Sequence, residues 1–150
     1  MLKVKDIMTK NPITVFPETE VVKAANLLFE HHINGLPVID HNNKVLGILC
    51  QSDLIVQQKK LPIPSFFTIL DGFIPLASGK QLEKEVQKIT AITVEQAMTK
   101  NPIVVEPDTG VEVVAALMVD EGFHTLPVVE KGVLVGVVGK EDVLKIILDL

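Results

Sequence analysis

Residues 6–15, DIMTKNPITV, are answered at 96–105 by QAMTKNPIVV, with the six letters Met-Thr-Lys-Asn-Pro-Ile identical. From Met8 and Met98 the register holds at an offset of 90 through Pro17 and Pro107, Thr19 and Thr109, and Leu36-Pro37-Val38 and Leu126-Pro127-Val128. It then drops to 89, since Gly47 answers Gly136 and Asp53 answers Asp142. The slip falls where DHNNK (40–44) faces the shorter EKG (130–132). An indel confined to turn-forming letters between two apolar runs is what a β-hairpin accepts. The chain is therefore two copies of one unit, and the unit contains a hairpin.

The rest of the unit follows from period. In TEVVKAANLLFEHH (19–32), Val21, Ala24, Ala25, Leu28 and Phe29 recur at helical spacing behind Thr19, a candidate N-cap. TGVEVVAALMVDEG (109–122) repeats the design, with Gly122 as a natural C-terminal stop. PITV (12–15), GLPVID (35–40) and KVLGILC (44–50) are short, β-branched and bounded by turn residues, and so read as strands. SDLIVQQ (52–58) and EDVLKIILDL (141–150) close the copies as helices. The expected fold is α/β of the α+β type: two pseudo-symmetric β-α-β-β-α units, 1–58 and 92–150, packed through their sheets because each needs a cover for its apolar face. Residues 59–91 have no counterpart in either copy and read as an insertion. Within it GKQLEKEVQKIT (79–90) has the pattern of an amphipathic helix, and IPSFFTILDGFIPL (63–76) is an apolar piece that covers core, fills a dimer contact or lids a site.

Composition removes several classes of function. At 150 residues and 47% hydrophobic letters the chain can bury a core of its own. A net charge of −5 lacks the basic excess that phosphate backbones demand, which argues against nucleic acid. Cys50 is the one cysteine, so no internal disulfide or Cys-rich zinc site can form, in keeping with a reducing compartment. The first ten residues carry Lys3, Lys5, Asp6 and Lys10 without an apolar core, unlike a secretory signal, and the most lipid-like run, Phe66 to Ala77, is interrupted by Asp71, Gly72 and Pro75. A cytoplasmic address without membrane contact is expected.

The repeated order of Met-Thr, Asn-Pro-Ile, Val, Pro, a helix, Leu-Pro-Val-Ile-Asp, Gly-Ile-Leu and a closing Asp resembles the cystathionine-β-synthase (CBS) domain, and two such motifs resemble a stand-alone Bateman module. The likeness covers residues 4–57 and 94–150. It implies a regulatory sensor and not an enzyme, a homodimer, and two clefts between the motifs that take an adenine nucleotide (AMP, ADP or ATP) or S-adenosylmethionine as regulatory ligand. The signal would pass to a regulated protein that the sequence does not name. A ligand-free docking scaffold is the alternative.

The resemblance also assigns residues. The MTKNP segment would line the adenine pocket, where Pro12 and Pro102 each remove an amide donor and fix φ. The closing motif carries a carboxylate for ribose, here Asp53 and Asp142; an ionised carboxylate is a pure acceptor and suits a diol. The alternative for both aspartates is helix capping. One cleft would thus comprise Asp53, Cys50, Ser52, Thr99, Pro102, Ile103, Phe123 and His124. The other would comprise Asp142, Gly139, Lys140, Thr9, Pro12, Ile13, Ile33 and Asn34. The family's Ser or Thr is replaced by Cys50 in one closing motif and by Gly139 in the other, which weakens the expected grip, although Ser52 and Lys140 are near substitutes. His124 matches a phosphate-contacting position and Phe123 offers a ring to a purine, so the likeness favours the Asp53 cleft.

Other chemistries find less support. Adjacent His31 and His32 project about 100° apart on a helix and make poor co-ligands, and with His41 they do not form a metal-binding spacing. Cys50 ends an apolar strand without a base partner in view, as a buried thiol would. GVVGKED (136–142) lacks the first glycine and the hydroxyl residue of a phosphate loop.

Overall fold

The computed structural model describes residues 1–60 and 92–148. The expected helix at 79–90 and the apolar piece at 63–76 lie outside them. The first copy contains α1 (Val4–Ile7), β1 (Thr9–Lys10), α2 (Val21–Glu30), β2 (Gly35–Ile39), β3 (Val45–Cys50) and α3 (Gln51–Lys60). The second contains α4 (Val94–Ala97), β4 (Thr99–Lys100), α5 (Val111–Glu121), β5 (Thr125–Glu130), β6 (Val133–Gly139) and α6 (Lys140–Leu148). Each copy is therefore β-α-β-β-α behind one helical turn.

The hairpins carry the indel. In the second copy Lys131 (φ 53°) and Gly132 (φ 81°) supply the two left-handed residues of a tight turn. The longer first turn is held by Asp40, whose Oδ1 accepts from the amides of Asn42 at 2.8 Å and Lys44 at 3.0 Å, with Asn43 left-handed at φ 64°.

The repeated arms are exchanged between the copies. β1 pairs antiparallel with β6, so Thr9 meets Val137 and Lys10 meets Gly136 in the sheet β1-β6-β5. β4 pairs with β3, so Thr99 meets Ile48 and Lys100 meets Gly47 in the sheet β2-β3-β4. Backbone bonds repeat the exchange: the Val4 amide donates to the Thr109 carbonyl and the Val94 amide to the Thr19 carbonyl, each at 2.8 Å. The arms in these pairs carry the offset of 90 and their strand partners the offset of 89, as in the sequence repeat, so the repeat is a two-fold relation in space. Gly47 and Gly136 admit the arms, because a β-carbon at Gly47 would lie 2.7 Å from Met98 Sδ and 2.8 Å from the Thr99 carbonyl oxygen, and one at Gly136 would lie 2.8 Å from the Thr9 carbonyl oxygen and 2.9 Å from Met8 Sδ.

Each hydrophobic core consequently contains the other copy's arm. Val94 and Ala97 of α4 join Val21, Ala24, Ala25, Leu28, Leu36 and Leu49, whereas Val4 of α1 joins Val114, Leu126, Val128 and Val138.

Three local expectations change. PITV is not a strand of its own: Asn11 is left-handed at φ 52°, Pro12 has no amide, and only Val15 reaches β2, through bonds to the Pro37 carbonyl at 3.1 Å and from the Ile39 amide at 3.0 Å. Thr19 is not the N-cap of α2; Glu20 is, and the Thr19 hydroxyl accepts instead from the Phe16 amide at 3.0 Å. Phe29 leaves the buried stripe and is 48% exposed. Gly122 does end α5, at φ 73°.

Candidate functional site

Two clefts lie where the copies meet, related by the same two-fold. In each, the residue before the first hairpin strand fixes the start of the closing helix: the Asn34 carbonyl accepts from the Gln51 amide at 3.1 Å, and the His124 carbonyl from the Lys140 amide at 3.0 Å. The closing aspartate then folds back on its own helix. Asp53 Oδ2 accepts from the Cys50 amide and Asp142 Oδ2 from the Gly139 amide, both at 2.8 Å. This is capping, and it uses one oxygen of two, so the capping and ligand-binding readings are compatible.

The second oxygens differ. Asp53 Oδ1 accepts from the Thr99 hydroxyl at 3.2 Å, a bond across the copies. The pseudo-symmetric Thr9 makes no such bond to Asp142 among the described residues, and Asp142 itself lines its cleft.

That cleft, of about 270 Å³, is walled by Thr9, Pro12 and Ile13 from the first arm and by Ile33 and Asn34 before β2. Gly139, Lys140 and Asp142 complete it from the second copy, so all eight residues grouped by the sequence line one cavity. His32, Glu141 and Lys145 line it too. The helical period from Asp142 places Lys145 within reach; His32 follows the end of α2 with a left-handed backbone, φ 52°, which periodicity does not reveal.

The second cleft, of about 430 Å³, is lined by Cys50, Ser52, Thr99, Pro102, Ile103, Phe123 and His124, together with Ile55, Gln51 and Glu121. Asp53 does not line it; the carboxylate stands behind Thr99. Both volumes are near the ~300–1,000 Å³ range of small-molecule sites. Asn34 and Thr125 belong to both walls.

Burial acts on Asp53 and on the thiol beside it in the same direction. Burial holds the Asp53 carboxyl above its ordinary range, against the opposing pull of the Cys50 amide and the Thr99 hydroxyl. Burial, reinforced by the Asp53 charge, pushes the Cys50 thiol up to about 11, which suppresses the thiolate that a nucleophile requires. His41 is engaged elsewhere, 3.9 Å from Glu18 and against the Phe16 ring, far in role from His32 in its cleft. Among the described residues no helix is long and apolar enough to cross a membrane.

The family model of the CBS domain matches residues 4–59 and 94–149. The chain belongs to the CBS domain family. Among curated relatives, the uncharacterized protein MJ1426 of Methanocaldococcus jannaschii is 28% identical over 155 residues, covering 97% of this chain and 90% of that protein. The chloroplastic CBS domain-containing protein CBSX2 of Arabidopsis thaliana is 31% identical over 154 residues, 98% of this chain and 64% of that protein. The L-aspartate semialdehyde sulfurtransferase of M. jannaschii is matched over only 23% of its length, so its activity belongs to a larger protein. The crystal structure of CBSX2 in complex with AMP superposes with a TM-score of 0.74 at 30% identity, over 99% of this chain and 98% of that one. The CBS domain pair of protein MJ0100, in complex with 5′-methylthioadenosine and S-adenosyl-L-methionine, gives 0.72 at 28%, over 99% and 98%. The architecture is that of a CBS pair, and these two neighbours are in complex with AMP and with 5′-methylthioadenosine and S-adenosyl-L-methionine.

Proposed function

We propose that this chain is a regulatory CBS pair that binds an adenosyl ligand in the clefts between its motifs and carries out no catalysis of its own. The observation that carries the reading is the repeated aspartate at the start of each closing helix, with one oxygen tied to a backbone amide in both copies; the other oxygen accepts from Thr99 of the opposite copy in Asp53, and the Asp142 carboxylate lines its cleft. Such a carboxylate is fixed in orientation before a diol arrives, so its ordering costs little on binding. The AMP complex of CBSX2 and the S-adenosylmethionine complex of the MJ0100 pair support the ligand class.

For a phosphate-bearing nucleotide the Asp142 cleft is the better seat, contrary to the preference drawn from Phe123 and His124. Lys140 and Lys145 line it, and its aspartate is in the wall. Occupancy would act by tightening the arms, since Thr9 and Thr99 belong to both cleft and exchanged strand. A ligand shifts that arrangement only through unequal affinity for its states. A second copy would receive the signal or transmit it: Ile55 (62% exposed) and Val56 (50%) on α3, with Leu144 (52%) and Leu148 (82%) on α6, leave both closing helices apolar toward solvent. A reducing, cytoplasmic setting suits the Cys50 thiol.

Titration of protein stripped of co-purified nucleotide tests the reading. Asp142→Ala is expected to weaken AMP binding at least tenfold, and Asp53→Ala to do the same for the ligand of its own cleft. If AMP, ADP, ATP and S-adenosylmethionine all fail to bind the wild type, the chain is a ligand-free scaffold.

A further inference from the structure

Because the repeat relates the two clefts, positions that differ between them report what each can receive. In the Asp142 cleft, Lys140 and Lys145 stand against Glu141 and Asp142, so ammonium groups balance carboxylates, and the His32 imidazole adds a further donor. At the equivalent positions of the other copy stand Gln51, Val56 and Ser52, and Gly122 takes the place of His32. Among the described residues the lining of the Asp53 cleft contains no lysine or arginine. It contains Glu121, and the Asp53 carboxylate stands immediately behind Thr99.

We propose that the two clefts sort adenosyl ligands by the charge of the tail: a phosphate tail enters the Asp142 cleft, and a sulfonium tail, as in S-adenosylmethionine, enters the Asp53 cleft. The sorting rests on the adenosyl reading given above. Lys140 and Lys145 offer a phosphate the counter-charge it loses with its water, and the start of α6 points the same way. In the Asp53 cleft a phosphate would meet the Glu121 carboxylate in the lining, with the Asp53 carboxylate behind Thr99 and, among the described residues, no lysine or arginine to oppose them. A sulfonium or an α-ammonium group meets Glu121 favourably there, and His124 is placed to face the ligand's carboxylate. Rejection of the wrong tail by like charge is as much a source of selectivity as attraction of the right one.

The test is titration calorimetry on the full chain, stripped of nucleotide, with AMP and with S-adenosylmethionine, each alone and each against protein saturated with the other. The expected result is one site for each ligand, no mutual displacement, and opposite responses to two surface variants. Glu121→Gln should weaken S-adenosylmethionine about tenfold and leave AMP unchanged, and Lys145→Gln should do the reverse. Unchanged thermal unfolding of both variants shows that they remain folded. Mutual displacement from a shared site, or equal effects of either variant on both ligands, overturns the sorting while the adenosyl reading stands. Absence of binding by both ligands overturns the two together.

Discussion

Asp53 and Asp142 show how far single residues can be read. The letters alone allow a helix cap or a ribose acceptor, and the structure shows each aspartate capping its helix through one oxygen, which leaves the other outside the cap. What the letters withhold is the side-chain direction, which sets Asp53 behind Thr99 and Asp142 in its cleft wall. The carboxyl of Asp53 has a pKa raised by burial, so it serves as an ionised acceptor above that raised value and loses this role as pH falls through it. Binding of methylthioadenosine, whose tail carries no charge, should therefore weaken in the Asp53 cleft on acidification, with a midpoint above that of an ordinary carboxylate; calorimetric titration across mildly acid pH reads this directly. Gly139 supplies a complementary test. A β-carbon there would lie 3.6 Å from the His124 carbonyl oxygen and 3.8 Å from Asp142 Oδ2, which is ordinary contact, so a hydroxyl side chain fits. Gly139→Ser should add a hydrogen bond of about 1 kcal/mol and tighten nucleotide binding about fivefold. An unchanged Kd would mean that the ligand does not approach this end of the cleft.

At the scale of elements, the hairpins, the long helices and the boundary at Gly122 were legible because turn letters and apolar spacing are local signals. The exchange of arms was not legible, since two arms with the same letters fit either sheet equally well and only three-dimensional closure decides the partner. Its trace in the sequence is nevertheless present in Gly47 and Gly136, the strand positions that a neighbouring backbone approaches too closely for a β-carbon. Gly136→Ala should drive a methyl into the Thr9 carbonyl, which cannot swing aside as a side chain can. The expected cost is about 1–3 kcal/mol, seen as a lowered unfolding midpoint, with Gly47→Ala behaving alike against Thr99. Both variants should also lose nucleotide affinity, because each displaced arm is a cleft wall. Alanine variants with wild-type stability would contradict the arm exchange.

For the whole molecule, exchange makes two sequence repeats into one folding unit. Val94 and Ala97 complete the first core and Val4 the second, so neither copy alone contains its full interior. Thermal unfolding should be a single cooperative transition by circular dichroism and calorimetry, and the fragment 1–58 should be largely unfolded when produced separately. Two independent transitions would show that the copies are autonomous. The same exchange is what builds the clefts, since every wall combines an arm of one copy with a closing helix of the other. Occupied clefts should thus stabilise the whole fold, by RT ln(1 + [L]/Kd) for each site. The most direct test of this account is calorimetric titration of the nucleotide-free protein with AMP, repeated on Asp142→Ala. Saturable binding to the wild type is expected, with affinity at least tenfold lower in the variant, while the variant keeps its fold. Equal binding by both proteins, or no binding to the wild type by any adenosyl ligand, would contradict it.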